Sequence, residues 1–436
     1  PTWVPEYFGD HSVVNGALWP KATVEPGWYR LRFVDGSDSR CYTWGLNVAP
    51  ANAPTPAPGT KVANNLAFFV IANDQGYLRA PVKATSVTMC PGERYEILVN
   101  FGQVGNKIPV GGAARVFMTN SAAAPFPAGL TPQAAASPYA DLNVLMAFDI
   151  NPLKGPGVKS CAAGAVNSWD PTYTQAQMTA AIAARTACMP ATPAQIDPGF
   201  VDIRPALWPI APPAAGAAPA PILFNDGKSL VPIVRQIYMN EKVDGTTLVP
   251  LGMQLNGVPF EYKVTETPRQ GSREIWQFVN LTVDAHPMHP HLVKHQIVAR
   301  QTFNVGQYKA RLCGSTTCQP GTAPGGEMQV VPDVTPLLTA TPVLVNNLSV
   351  EGGYKDATQV PPGRVTTIVA DWTARWPVAA AGANATAPGT AGCVNGTLGC
   401  AAPYVYEPVT SGPYVWHCHI NSHEDSEMMR TSLVVP

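Results

Sequence analysis

His417-Cys418-His419-Ile420-Asn421-Ser422-His423-Glu424-Asp425-Ser426-Glu427-Met428 follows Gly412-Pro413-Tyr414-Val415-Trp416, a run of strand-forming residues near the end of the chain. Along a strand successive side chains face opposite ways. His417 and His419 therefore share one face and Cys418 takes the other, so the cysteine serves a different site from its neighbours. Thiolate, imidazole and thioether are soft donors that select copper; two His, one Cys and a weak axial Met make an electron-transfer copper site. Cys418, His423 and Met428 supply three of these donors at Cys-x4-His-x4-Met spacing. Met429 competes as the axial donor, but adjacent residues point apart and the spacing favours Met428.

The second imidazole must come from a distant strand. His286-Pro287-Met288-His289-Pro290-His291 offers it. His289 and His291 are two apart and share a face, whereas His286 is an odd number of positions from both and can face the cysteine. Seven of the eight histidines lie in the second half of the chain, around these two windows. Zinc also accepts Cys and His, but it explains neither Met428 nor histidines on both sides of one cysteine. His11 and His295 read as ordinary structural histidines.

Outward from the two clusters the chain reads as all-β. Proline (46) and glycine (37) punctuate short runs rich in β-branched and aromatic residues. Tyr29–Val34, Arg94–Val99, Glu274–Val279 and Thr366–Ala370 alternate apolar and polar side chains. The punctuation repeats: Asn15-Gly16 and Asn256-Gly257 each precede an alternating run, and Pro91-Gly92 and Pro362-Gly363 each open a later one. This layout predicts two related β-sandwich domains, 1–150 without copper ligands and 222–436 with them, joined by an Ala/Pro-rich linker over 151–221. Within the linker Gln175 to Ala187 could form a helix, and 373–403 reads as a small-residue surface insertion. Length (436 residues) and 46% apolar composition allow large cores; 13% charged residues, a net charge of −1 and no basic stripe exclude nucleic acid as a natural partner. No apolar run is long enough to span a bilayer.

Nine cysteines leave eight for four disulfides once Cys418 is committed to metal. Proximity suggests Cys41 with Cys90, Cys161 with Cys188, Cys313 with Cys318, and Cys393 with Cys400. Even two such pairs imply an oxidising compartment, so the expected location is secreted or periplasmic. The start at Pro1, with no basic-then-apolar segment, fits a mature or cut product. Asn280, Asn347, Asn384 and Asn395 begin Asn-x-Ser/Thr triplets, which are common by chance.

The motifs His286-x-x-His289-x-His291 and His417-Cys418-His419-x3-His423-x4-Met428 resemble the last two copper motifs of the multicopper oxidases. Gly412-Pro-Tyr-Val-Trp-His-Cys-His-Ile, His423-Glu-Asp-x-x-Met-Met-Arg430, Val4-Pro-Glu-Tyr-Phe-Gly9, Val14-Asn-Gly16 and Thr265-Glu-Thr-Pro268 are similar to the bacterial spore-coat laccase and bilirubin oxidase branch. The likeness runs over most of the chain apart from the linker and the 373–403 insertion. It implies two cupredoxin-like Greek-key sandwiches, corresponding to the middle and last domains of that family. It also implies roles: His286, Cys418, His423 and Met428 on the type 1 copper, His289 on type 2, and His291, His417 and His419 on the type 3 pair. Electrons would enter at type 1 and pass through Cys418 to its flanking histidines, and dioxygen would be reduced to water. Glu424 matches an acidic position thought to feed protons, and Asp425 would position its neighbours.

The family carries two further His-x-His motifs in an N-terminal cupredoxin domain, and none occurs here before His286. The trinuclear ligand set is therefore half supplied. The missing domain is expected as a separate docked chain, rather than the sequence being an isolated fragment or a relative that keeps only the electron-transfer copper. Retention of all four remaining histidines favours a docked chain, because imidazoles facing an empty gap would be costly to bury. The expected activity is laccase-like, taking single electrons from phenols or other small aromatic reductants. The alternatives are a metal-ion oxidase acting on Mn, Cu or Fe, disfavoured by the scattered methionines, and a type 1 copper electron-transfer module.

Overall fold

The computed structural model describes residues 5–24, 28–50, 53–101, 114–150, 233–243, 250–270, 272–316, 328–345, 349–372 and 412–435. The linker, with the helix expected over Gln175 to Ala187, and the 373–403 insertion lie outside them.

In the first half, five strands form a sheet in the order Lys21–Val24, Val144–Ile150, Ala114–Asn120, Tyr42–Ala49 and Ser86–Met89. Four more follow the order Trp28–Val34, Arg94–Asn100, Phe68–Asn73 and Gly76–Ala84. The two sheets enclose one core, in which Trp44, Leu46 and Val116 of the first meet Phe68, Val70, Ile97 and Val99 of the second. In the strand Arg94–Asn100, buried Tyr95, Ile97 and Val99 alternate with half-buried Arg94, Glu96 and Leu98, as period-2 patterning requires.

The second half repeats the plan. A six-stranded sheet is ordered Pro250–Leu255, Ile233–Val243, Arg273–Asn280, Arg364–Asp371, His295–Thr302 and Val343–Leu344. A four-stranded sheet is ordered Thr358–Val360, His286–Pro290, Tyr414–Cys418 and Met429–Ser432. Trp276, Phe278, Ile368, Met288, Trp416, Cys418 and Met428 share the core between them. Among the described residues each half also contains one parallel strand pair, Lys21–Val24 with Val144–Ile150 and Ile233–Val243 with Arg273–Asn280.

The repeated turn residues explain the repeated plan. Asn15 and Gly16 both have positive φ (51° and 82°), as do Asn256 and Gly257 (55° and 66°). That is the mirror-image two-residue turn that Asn-Gly favours. Gly92 (φ 82°) and Gly363 (φ 64°) each follow a proline and lead into the strands Arg94–Asn100 and Arg364–Asp371. Proline then glycine with positive φ is the signature of a type II turn.

The halves meet through ions. Lys355, wholly buried, lies 3.0 Å from Asp74 and 3.0 Å from Glu93, both also without exposure. Arg94 grips Asp356 through two hydrogen bonds of 2.6 and 2.7 Å, and Gln359 reaches Glu93. Cys41 and Cys90 form a disulfide, and among the described residues Cys418 is the free cysteine. Cys313 is also disulfide-bonded; Cys318, Cys161, Cys188, Cys393 and Cys400 lie outside the described residues. Asn280 is wholly buried and its amide donates to the carbonyls of Asp284 and Val360, so it is no glycan acceptor. Asn347, Asn384 and Asn395 lie outside the described residues.

Candidate metal centre

The strand His286–Pro290 lies between Thr358–Val360 and Tyr414–Cys418, with Met288 opposite Cys418 and His289 opposite His417. This register sorts the donors by face. Met288 and Cys418 point into the core, together with His286, while His289 and His417 point out of it. The strand ends after Cys418, and Asn421–Glu424 makes a single helical turn that brings His423 back over the cysteine. Met428 closes the loop: its amide donates to the carbonyl of His423, and its carbonyl accepts from the amide of Cys418, both at 3.0 Å.

The result is one compact donor set. Cys418 Sγ lies 3.6 Å from His286 Nδ1 and 3.7 Å from His423 Nδ1, and the two imidazole nitrogens are 3.2 Å apart. His286, Cys418, His423 and Met428 all have zero exposure. The distal ring nitrogens are held as well. Thr282 Oγ1 meets His286 Nε2 at 2.6 Å, and Glu6 Oε1 meets His423 Nε2 at 3.1 Å. Outer hydrogen bonds of this kind fix the ring orientation of a ligating histidine. Met429 sits on the next strand opposite His417 and is half-buried, so Met428 is the thioether in the core of the site.

Burial sets the charge states. It pushes His286 well below its ordinary value and His423 down to about 3, so both imidazoles are neutral. It pushes the Cys418 thiol well up, and the nearby carboxyl groups of Glu6, Glu424 and Asp284 add to this. A cation entering the site must therefore displace the thiol proton. A buried thiol and two neutral imidazoles, with the Met428 thioether in the same core, suit copper better than any hard cation and make a type 1-like donor set.

On the other face a second group forms. Ligand atoms of His289, His291 and His417 lie within 4.8 Å of one another. His291 Nε2 and His417 Nε2 are 3.0 Å apart, and the His419 ring centroid lies 5.5 Å from those of His289 and His417. His289 Nδ1 donates to the carbonyl of Asp356 at 2.7 Å, which leaves its Nε2 free for a metal. His417 Nδ1 faces the carbonyl of Cys418 and, at 3.1 Å, Glu424. Burial holds His289 and His291 low and His417 down to about 4. Glu424 is raised, chiefly by burial.

His295 is buried in the six-stranded sheet's strand His295–Thr302 and bonds to Thr358, away from both groups. His11 is exposed and pairs with Asp10. Sequence reasoning assigned no role to Glu6, Thr282 or Asp356. Glu6 stood within a stretch resembling the family, but nothing in the sequence ties it to His423, 417 positions away.

The comparisons agree with this geometry. The family model described as multicopper oxidase matches residues 231–379 and 402–436. The multicopper oxidase LPR1 homolog 1 of Oryza sativa subsp. japonica is 26% identical over 435 residues, covering 99% of this chain and 53% of that protein. A laccase of Bacillus subtilis (strain 168) is 24% identical over 430 residues, covering 99% and 55%. The McoA multicopper oxidase of the hyperthermophile Aquifex aeolicus shares the fold, with TM-score 0.51 at 17% identity over all of this chain and 61% of that one. Over residues 231–379 and 402–436, which carry both histidine groups, the chain matches the multicopper oxidase family model, and the fold and donor set agree with that likeness. The chain spans little more than half the length of such curated relatives.

Proposed function

We propose that this chain is the larger part of a laccase-like multicopper oxidase, comprising its middle and C-terminal cupredoxin domains. The observation that carries this reading is the convergence of His286, Cys418 and His423, with Met428 in the same core, where Cys418 is the sequence neighbour of His417 in a second cluster of imidazoles. Copper would supply one-electron redox chemistry at the first group and dioxygen reduction to water at the second. His286, Cys418, His423 and Met428 would hold the type 1 ion. By correspondence with the family motifs, His289 serves type 2 and His291, His417 and His419 serve type 3. Cys418 links the groups through its own backbone to His417 and His419. Glu424, beside His417 Nδ1, is placed to hold a proton near the second group.

Four histidines are half of what a trinuclear group requires. The rest would come from an N-terminal cupredoxin domain with two His-x-His motifs, supplied as a separate chain. The chain's coverage of only 53–55% of these relatives is consistent with a missing domain. The Cys41–Cys90 disulfide supports a secreted or periplasmic location.

Small aromatic reductants remain the first choice of substrate. A specific observation favours a metal-ion reductant as the second. Glu6 touches His423 Nε2 and hydrogen-bonds to Asp284, whose carboxyl is pushed up to about 8 by burial and then by Glu6 itself. A carboxylate at Glu6, contacting a copper-ligating imidazole, would attract a cation and give it a short path to the thiolate. The test is oxygen uptake by the copper-loaded protein with all associated chains, using a phenol or Fe(II), Mn(II) and Cu(I), in wild type and in Glu6→Gln. Faster turnover of the phenol, little changed in the variant, supports the laccase reading. Faster turnover of a metal ion, with KM raised in Glu6→Gln, supports the second. One copper per chain and no oxygen uptake with any reductant would refute both and leave an electron-transfer module.

A further inference from the structure

Among the described residues the first half of the chain supplies no donor to either group, yet one of its turns reaches two members of the four-histidine cluster, one directly and one through Asp356. We infer that the turn Cys90-Pro91-Gly92-Glu93-Arg94 is a positioning device for His419 and His289. The inference rests on the reading of those histidines as metal ligands, but its test does not need the metal.

His419 is held by direct packing. Gly92 has φ +82°, and a Cβ built on it would sit 2.3 Å from His419 Cδ2 and 2.6 Å from Cγ and Nε2. The imidazole therefore lies against bare backbone. No other residue type could stand there without moving the ring, and the positive φ independently demands glycine. The amide of Gly92 donates to the carbonyl of Asp35 at 2.9 Å, which fixes the turn from below.

His289 is held at one remove. Arg94 donates to both carboxylate oxygens of Asp356, and also to the carbonyls of Gly92 (2.9 Å) and Asp74 (3.0 Å). A bidentate guanidinium–carboxylate pair fixes orientation as well as distance. Gln75 Nε2 adds a bond of 2.6 Å to Asp356, and Asp74 accepts from the amides of Asp356 and Ala357 at 3.3 and 3.2 Å. So held, the Asp356 carbonyl accepts from His289 Nδ1 and selects the tautomer whose Nε2 is open. Next to it Lys355 joins Asp74 to Glu93, a member of the same turn. The turn's first residue, Cys90, is tied by the disulfide to Cys41, and its amide donates to Glu93 at 2.8 Å. The turn is thus anchored at both ends, touches the cluster at His419, and reaches His289 through Asp356. Arg94 is a positioning residue acting through Asp356, whereas Gly92 acts by contact.

The test is long-range proton–nitrogen NMR of imidazole nitrogens in the metal-free full chain, comparing wild type with Gly92→Ala, Arg94→Gln and Arg94→Lys. Wild type is expected to show His289 protonated at Nδ1. In Arg94→Gln that tautomer should fall from the dominant form to a mixture, with Arg94→Lys intermediate because it keeps charge but not the two-pronged grip. In Gly92→Ala the His419 resonances should shift. The His286 and His423 rings are held by Thr282 and Glu6, outside the turn, so their signals should stay in place and report that the fold is intact. The inference is overturned if His289 and His419 keep their wild-type signals in all three variants. It is equally overturned if the mild Arg94→Lys change moves His286 and His423 as much as His289, since the turn would then act only in domain packing. Failure of the metal-ligand reading would instead show as wild-type signals that do not respond to added Cu(II).

Discussion

Replacing Lys355 by methionine should cost the chain about 3–5 kcal/mol of stability, the usual penalty for orphaning buried charges. The lysine lies 3.0 Å from Asp74 Oδ2 and 3.0 Å from Glu93 Oε1, and none of the three side chains is exposed. The contacts are close ion pairs rather than well-aligned hydrogen bonds. At an effective dielectric constant of about 20, each pair is attractive by roughly 5–6 kcal/mol before desolvation is set against it. Desolvation cancels much of this, which is why the pairs are worth less than they cost to break. Methionine keeps most of the length and volume, so the change isolates charge. Without the ammonium, Glu93, already raised by burial, rises further and takes up a proton. A carboxyl whose folded pKa exceeds its unfolded value stabilises the protein at low pH and loses that contribution as pH rises through the folded value. The deficit of Lys355→Met should therefore grow as pH rises above the ordinary carboxylate range. Urea unfolding followed by tryptophan fluorescence at several pH values measures it. Adding Asp74→Asn and Glu93→Gln to the same chain should recover more than half of the loss. A single-variant cost below about 1 kcal/mol, or no recovery in the triple variant, would refute the reasoning.

Thr282→Val removes the hydroxyl at 2.6 Å from His286 Nε2 while keeping shape, and should weaken copper affinity about 10–100-fold in a chelator competition. Met428→Leu should keep the blue colour but raise the reduction potential of the type 1 centre in a redox titration, because the thioether no longer donates to the oxidised ion. Asp35 is buried and its carboxyl is pushed up to about 7 by desolvation. It therefore stabilises the fold at low pH, and that contribution is lost as pH rises from about 4 through 7; it amounts to at most about 4 kcal/mol. Asp35→Asn should flatten that part of the stability–pH profile.

Much of this arrangement was legible before the fold. The runs Tyr29–Val34, Arg94–Val99, Glu274–Val279 and Thr366–Ala370 all lie within strands; burial alternates in the first two, whereas in the last two it does not, since Glu274 and Thr366 are buried along with their apolar neighbours. The opposite facing of Cys418 and its flanking histidines followed from the same period. Turn chemistry at Asn15-Gly16 and Asn256-Gly257 was equally local. What escaped was everything that depends on which residues meet across the halves. Glu6 meets His423, Asp38 accepts from Ser422, and Gly92 lies under His419. Each is a single polar or small residue with no periodic signal, given meaning only by chain closure over hundreds of positions. Thr282 is nearer, four residues before His286, but a lone threonine in a loop marks nothing until the ring nitrogen it meets is known.

A type 1 copper site complete within this chain is the claim on which the rest depends, and copper loading tests it most directly. Oxidised, copper-loaded wild-type protein should be intensely blue from thiolate-to-copper charge transfer. Cys418→Ser should lose that colour while keeping its fold by circular dichroism. Colourless oxidised protein with copper bound, or a blue band that survives Cys418→Ser, would contradict it.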